Sequence, residues 1–323
     1  MIKFILLFIF CLLIGFLASW KINDIERNKK STVENKIIVF AEKHNNASTP
    51  LIVEGDLIEP EKVKEQAQVQ VKTKVTKDLD AITAEAYIIG DLNTGKVLLE
   101  HNTSTVFPIA SLSKLFTALV ASHQIDKNSK IVITKEMTDA YGDAGNLVED
   151  EKFTSEELLY PLLLESSNDA AEALAQSFGY KKFIDAMNKL ALDAGMKNTS
   201  FKDSSGLNSS NVSNVKDLFI LAQYYYKNEK SILDITKQKE YTLATTTDHG
   251  FHHFVSINPF VVYEPFIGGK TGRTKEAKES MISLFDLPTA TTTRPVAVII
   301  LRSDMGEREM DTERIMGKIM NKI

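Results

Sequence analysis

Residues 81–323 begin and end in strand patterns and hold helical patterns between them, and this order constrains the fold more than any other feature of the chain. Ala84–Ile89 and Lys96–Glu100 read as two strands. The intervening Asp91-Leu92-Asn93-Thr94-Gly95 is turn chemistry, so the pair is expected to be a hairpin. Helical patterns follow at Leu112–Gln124, Ser155–Leu164, Asp169–Phe178, Lys181–Ala194 and Val215–Lys227. Thr154 and Glu157 make a capping box for the second of these. In the fourth, Phe183, Ile184, Met187, Leu190 and Ala191 share one face, and Gly195 stops the helix. Met281–Phe285 and Val296–Arg302 read as strands again, before a last amphipathic helix carrying Ile315, Met316, Ile319 and Ile323. A sheet completed by both ends of the region, with helices on its faces and a helical lobe inserted, is an α+β fold.

The first 80 residues have a different character. Phe4–Trp20 is apolar apart from Ser19, longer than the usual core of a signal peptide and barely enough to span a bilayer. Leu17-Ala18-Ser19 is a poor cleavage site, so residues 1–20 are expected to stay as a membrane anchor rather than leave as a signal. Cys11, the lone cysteine, lies inside this apolar stretch, which excludes an internal disulfide and a cysteine metal site. Residues 21–80 contain 11 basic and 11 acidic side chains and one aromatic, Phe40. Such a stretch cannot bury enough apolar surface to fold alone and is expected to be a tether, on the order of 40 Å in reach as a coil. Val69, Val71 and Val75 would allow a strand there instead. Residues 81–323 hold 26 basic against 32 acidic side chains, a balance that disfavours nucleic acid as a partner.

Three short polar motifs then follow in order: Ser111-Leu112-Ser113-Lys114, Ser166-Ser167-Asn168 and Lys270-Thr271-Gly272. A serine hydroxyl is a weak nucleophile until a base stands beside it. Positions i and i+3 share a helix face, so Lys114 would stand over Ser111 at the start of the first helix. A lysine kept from water and near other cations sheds its proton and serves as that base. Ser213 and Lys216 repeat the spacing, but in the polar loop 209–214, where Ser213 is expected to cap a helix. Ser111 itself would equally serve as an N-cap. Ser166 interrupts two helical stretches; its hydroxyl would relay a proton and the Asn168 amide would hold a substrate backbone, or the segment is simply a helix–helix turn capped by Asn168 or Asp169. Lys270 lies in a glycine-flanked segment that reads as an edge strand. It would attract a substrate carboxylate and depress Lys114, with Thr271 binding the same carboxylate and Gly272 letting a ligand approach. The alternative is a glycine-rich turn with a solvated lysine. His249, His252 and His253 cluster near Asp248, but their neighbours Gly250, Phe251 and Phe254 suggest a loop entering a strand rather than a metal site; no metal and no cofactor are expected. A Ser-His-Asp triad lacks a Gly-x-Ser-x-Gly elbow.

Taken together the motifs resemble the penicillin-binding protein and serine β-lactamase superfamily, and within it the low-molecular-weight D-alanyl-D-alanine carboxypeptidases. The resemblance extends over residues 81–323, through Pro108-Ile109-Ala110-Ser111, Leu164-Glu165-Ser166-Ser167-Asn168-Asp169-Ala170-Ala171, Asp203-Ser204-Ser205-Gly206-Leu207 and Gly269-Lys270-Thr271-Gly272. It implies a β-lactamase/transpeptidase-like antiparallel sheet flanked by helices with an inserted helical lobe, and a serine peptidase that trims peptidoglycan stem peptides and is inhibited by β-lactams. Ser111 would attack the carbonyl between two D-alanines and Lys114 would take its proton. Ser166 and Lys270 would pass a proton to the departing D-alanine. The oxyanion would sit between the backbone N–H groups of Ser111 and Arg273. Arg273 stands where relatives often carry an aromatic residue or histidine. Relatives also often carry an additional C-terminal β domain, which is not expected here. The same residues would serve a D-alanine endopeptidase cutting crosslinks, or a membrane-tethered β-lactam sensor without turnover. A β-lactamase would want a Glu-x-x-Leu-Asn loop, which the sequence lacks. The implied substrate puts the catalytic domain outside the cytoplasm, anchored by its N-terminus or secreted if that segment is cleaved. The excess of Lys21, Arg27, Lys29 and Lys30 over Lys3 argues the opposite orientation.

Overall fold

The chain enters its main sheet as the hairpin expected from the turn residues: β1 (Ala86–Asp91) and β2 (Val97–His101). The Asp91 carboxylate closes the turn by accepting from the N–H groups of Asn93 and Thr94 at 3.0 and 2.8 Å. The computed structural model describes residues 81–139, 144–289 and 292–320. All belong to one unit, Gln70–Ile323; the expected anchor and tether, and the alternative strand at residues 69–75, lie outside the described residues.

After β3 (Phe107–Pro108) a 3-10 turn, Ala110–Leu112, runs straight into α1 (Ser113–Gln124). Every residue from Ser113 to Ala121 is buried, so α1 is packed on all sides rather than along one stripe. A lobe follows in which β4 (Lys130–Val132) pairs with β5 (Lys152–Thr154) around the short α2 (Lys135–Thr138), and α3 (Asn168–Phe178) and α4 (Tyr180–Asp193) pack beneath. β6 (Val212–Ser213) returns to pair with β3. Then come α5 (Val215–Asn228), α6 (Lys230–Thr236) and the hairpin β7 (Glu240–Leu243) with β8 (His252–Val255). The chain closes with β9 (Phe266–Thr274), β10 (Lys278–Pro288), β11 (Thr293–Ser303) and α7 (Arg308–Met320).

The five-stranded antiparallel sheet has the order β2-β1-β11-β10-β9, so strands from both ends of the region complete it and β9 forms an edge. Its two faces bury alternate residues. Ile88, Ile282, Leu284, Ala297, Ile299 and Leu301 face the large helical core. Ile89, Met281, Phe285, Val298 and Ile300 face Ile315, Met316 and Ile319 of α7. Covering both faces explains the unbroken apolar run of β11, where each fully buried aliphatic side chain contributes about 1.5–3 kcal/mol. The α+β fold with an inserted helical lobe is as expected. Among the described residues no helix is long and apolar enough to cross a membrane.

Two local expectations fail. The stretch Ser155–Leu164 keeps its capping box, with Thr154 N–H donating to Glu157 at 2.7 Å and Glu157 N–H to Thr154 Oγ1 at 3.1 Å. It does not continue as a regular helix. Pro161 has no N–H to donate backwards, and the next turn widens to the π form over Pro161–Glu165; the Pro161 carbonyl accepts from the N–H groups of Ser166 and Ser167. The second is the cap of α5: Asn214 accepts from Asp217 N–H at 2.9 Å, while the Ser213 hydroxyl pairs with Thr199 Oγ1 at 2.7 Å.

Candidate active site

Ser111 sits in the 3-10 turn that opens α1, and neither helical start there takes a side-chain cap. Its hydroxyl is therefore not spent as an N-cap. The turn is set by Ala110 at φ 47°, a left-handed conformation unusual for a residue with a Cβ. One turn along, Lys114 is wholly buried. Its Nζ makes three hydrogen bonds: to Ser111 Oγ at 3.2 Å, Asn168 Oδ1 at 2.7 Å and the Ser205 carbonyl at 2.7 Å. Three donors thus meet three neutral acceptors. Burial drives the Lys114 amine down to about 7, with the Asp203 carboxylate working against the shift.

The second motif follows the widened turn. Ser166 adopts a left-handed backbone, φ 64° and ψ 34°, and its Oγ accepts from Lys270 Nζ at 2.8 Å. π-type turns recur at functional sites because they re-aim the following side chain. Ser167, rather than Asn168 or Asp169, caps α3 by accepting from Ala170 N–H at 3.1 Å, and this leaves the Asn168 amide for Lys114.

The third motif lies on edge strand β9, where Lys270 is paired across from Ile282 and Gly272 from Ser280. Lys270 is 1% exposed, so it is no solvated lysine; its Nζ also donates to the Thr271 carbonyl at 2.9 Å. Burial, then the charges of Lys114 and Arg308, push the Lys270 amine well down. Burial is the largest cause of the shift at each amine, and the repulsion between Lys114 and Lys270 acts on the pair. Gly272 rests on the nucleophile turn; a Cβ there would stand 3.0 Å from the Ile109 carbonyl and 3.3 Å from Leu112 N. Thr271 is buried and Arg273 exposed at the end of the strand.

All three motifs therefore meet, tied by Lys114 to the first two and by Lys270 to the last two. The resemblance took in Asp203–Leu207, but sequence reasoning gave that loop no role. The Ser205 carbonyl is a partner of Lys114, and Gly206, at φ 90°, packs so closely that a Cβ would fall 1.9 Å from the Ala110 carbonyl. Asn211, in a polar stretch that reads as plain loop, is fully buried and donates to Ser113 Oγ at 3.0 Å. The available signal was Asp203 three residues before Gly206, a spacing typical of a side-chain-closed turn. His249 and His252 join a different cluster around Phe153, His253 is exposed beside Thr242, and among the described residues no group of three or more ligating side chains could hold a metal.

Comparison with known proteins agrees with the geometry. The family model for peptidase S11, D-alanyl-D-alanine carboxypeptidase, matches residues 71–303. The D-alanyl-D-alanine endopeptidase of Haemophilus influenzae is 40% identical over 145 residues, 44% of this chain and 50% of that protein. The D-alanyl-D-alanine carboxypeptidase DacF of Bacillus subtilis is 35% identical over 214 residues, 64% of this chain and 54% of that protein. The chain thus spans about half the length of these curated relatives. The crystal structure of the Streptomyces K15 DD-transpeptidase superposes with a TM-score of 0.67 at 30% identity, covering 73% of this chain and 97% of that one. With the family model matching most of its length and the three motifs assembled in one place, the chain belongs to the peptidase S11 family of D-alanyl-D-alanine carboxypeptidases.

Proposed function

We propose that the chain is a serine-type D-alanyl-D-alanine carboxypeptidase that trims peptidoglycan stem peptides through an acyl-enzyme on Ser111 and is inhibited by β-lactams. The observation that carries the reading is a buried lysine, driven to about 7, in hydrogen-bond contact with a serine hydroxyl that caps nothing. Neutral Lys114 takes the Ser111 proton as Oγ bonds to the carbonyl carbon between the two D-alanines. The carbonyl oxygen becomes an oxyanion, received by the backbone N–H groups of Ser111 and Arg273. The close packing of Gly272 on the nucleophile turn supports that placement. The C–N bond then breaks, and the proton taken up by Lys114 passes to the leaving amine through the Ser166 hydroxyl, which Lys270 contacts, so that Lys114 is neutral again. Asn168 and Thr271 hold the substrate backbone and carboxylate. Water attacks the ester, returns a proton to Ser111 and frees the shortened peptide. No cofactor enters the scheme.

The test is labelling with a fluorescent penicillin, mass mapping of the adduct, and release of D-alanine from a pentapeptide. Adduct on Ser111 and release abolished by Ser111→Ala are expected; an adduct elsewhere, or a normal rate in that variant, rejects the assignment. The 40% identity to an endopeptidase favours a second reading, cleavage of crosslinked dimers by the same residues. Products from a purified crosslinked muropeptide decide between the two.

The apolar segment Phe4–Trp20 supports a further part of the proposal, that the protein is held in the cell membrane by its N-terminus with residues 81–323 outside the cytoplasm. Protease treatment of intact, wall-stripped cells tests it. Loss of the domain with a membrane-retained stub is expected, and full protection of the domain would reverse the orientation.

A further inference from the structure

Four hydrogen bonds converge on the Asp203 carboxylate. Oδ1 accepts from the N–H groups of Ser205 and Gly206 at 3.0 and 2.6 Å and from Asn211 Nδ2 at 3.0 Å, and Oδ2 accepts from Asn208 N–H. Asn211 ties the same loop down from the other side. Its Oδ1 accepts from the N–H groups of Lys202 and Asp203 at 2.7 and 3.1 Å, and its Nδ2 donates to Ser113 Oγ, one residue before Lys114. The loop so folded turns the Ser205 carbonyl onto Lys114 Nζ and lays Gly206 against Ala110 and Ser111.

We propose that Asp203 is a positioning residue for Lys114: its carboxylate folds residues 203–208 so that the Ser205 carbonyl receives the lysine, and it sets a negative charge behind a buried amine whose contacts are otherwise neutral. The proposal rests on the reading of Ser111 and Lys114 as nucleophile and base. A base stripped of its proton affinity accepts a serine proton poorly, so a charge that offsets burial keeps Lys114 matched to its task. The other charges around Lys114 come from several elements. β9 brings Lys270, and α7 brings Arg308, which acts on Lys270. α3 presents the neutral Asn168 and also carries Asp169 and Glu172. Burial pushes up Glu172 and, on α4, Tyr180, and the Asp203 carboxylate adds to both shifts. Asp203 is the acid whose field reaches Lys114 itself.

The test is the rate of acylation of the full chain by a fluorescent penicillin as a function of pH. Asp203→Asn removes the charge and keeps one acceptor oxygen, enough for the three donors that meet at Oδ1, while its amide nitrogen no longer accepts from Asn208 N–H. Its acid limb moves to lower pH, by about one pH unit, and its plateau rate falls. A limb that stays in place while the rate falls at every pH makes Asp203 merely structural and overturns the proposal, as does a limb that moves upward. Asp203→Glu keeps the charge but displaces the carboxylate by a methylene. It acylates more slowly, with its limb where the wild type has it; a displaced limb or an unchanged rate overturns the proposal. This second variant decides alone where the melting curve shows that Asp203→Asn is unfolded. Failure of the underlying reading is distinguishable, because the wild type would then take no label on Ser111.

Discussion

Two buried polar clusters in this domain follow opposite rules. In the first, His249 stacks on Phe153 at 4.9 Å and His252 meets the same ring edge-on at 5.1 Å. The Glu151 carboxylate accepts from His252 Nε2 at 3.0 Å and from the N–H groups of Gly250 and Val148 at 2.8 and 3.2 Å. Burial works against that carboxylate, yet the hydrogen bonds from Gly250 and His252 hold it below its ordinary value. In the second cluster two lysines are buried, and among the described residues every hydrogen-bond acceptor they reach is neutral: two serine hydroxyls, an amide and two carbonyls. A carboxylate that accepts several hydrogen bonds keeps its charge and acts as a strut. A buried amine given only neutral acceptors is pushed towards losing its proton, which is the condition for acid–base work.

The contrast breaks most readily at Lys114. Lys114→Met leaves the serine without a base, and acylation by penicillin should fall about 10³-fold, within the range that a positioned base supplies. A fall of less than about tenfold would mean that the neutral-acceptor cluster is not the proton acceptor. The pH dependence is the next largest effect. The base is active when neutral, so with Lys114 at about 7 the acylation rate should drop as pH falls below that value, approaching tenfold per unit. A flat profile from neutral to mildly acid pH would contradict the burial argument.

The strut should respond in the other way. Glu151→Ala removes the acceptor for His252 and two backbone N–H groups, and about 2–3 kcal/mol of stability should go with it. The acid limb of acylation should stay where it is. The Glu151 carboxylate has a folded value below its unfolded one, so its contribution is complete above the ordinary carboxylate range and fades as pH falls through the lowered folded value. Denaturant melts of the two proteins at neutral and acid pH check both statements.

The same contrast governs what the sequence could disclose. The hairpin at Asp91–Gly95, the strands of the main sheet and the first helix after Ser111 were legible to within a few residues, because turn chemistry and burial of both sheet faces leave local patterns. The order of the motifs disclosed the family. Their meeting did not follow from spacing, since Lys114 reaches Asn168 and Lys270 reaches Ser166 only through tertiary packing. Three details left no local trace that a reader could weigh. Ala110 and Ser166 hold left-handed backbones without being glycine. Pro161 widens a helix that its own capping box promises to continue. Asn211 is wholly buried within a run of serines and asparagines that has the composition of exposed loop. In each case surroundings distant in sequence override a local preference, and each lies at or beside the site.

The last expected effect, small at neutral pH, is also the most diagnostic of an amine buried among neutral hydrogen-bond acceptors. Unfolded Lys114 titrates near its ordinary value, whereas the folded amine titrates at about 7, so the unfolded chain binds the extra proton over the interval between them. The lysine therefore costs stability, and the cost grows as pH falls from about 10.4 towards 7 and levels off below the folded value. Lys114→Met removes that cost but strands the Asn168 amide oxygen and the Ser205 carbonyl, each a loss of about 1–3 kcal/mol. The two effects nearly cancel at neutral pH. At alkaline pH, where the cost has gone and the stranded acceptors remain, the variant should be the less stable protein, by about 2–4 °C in Tm for each kcal/mol in a domain of this size. That deficit should shrink steadily as the buffer is brought down towards about pH 7 and stay constant as it is made more acid. A difference in Tm that does not change with pH would mean that Lys114 carries its proton in the folded protein as readily as in water, and would place the lysine pair with the histidine cluster among the struts.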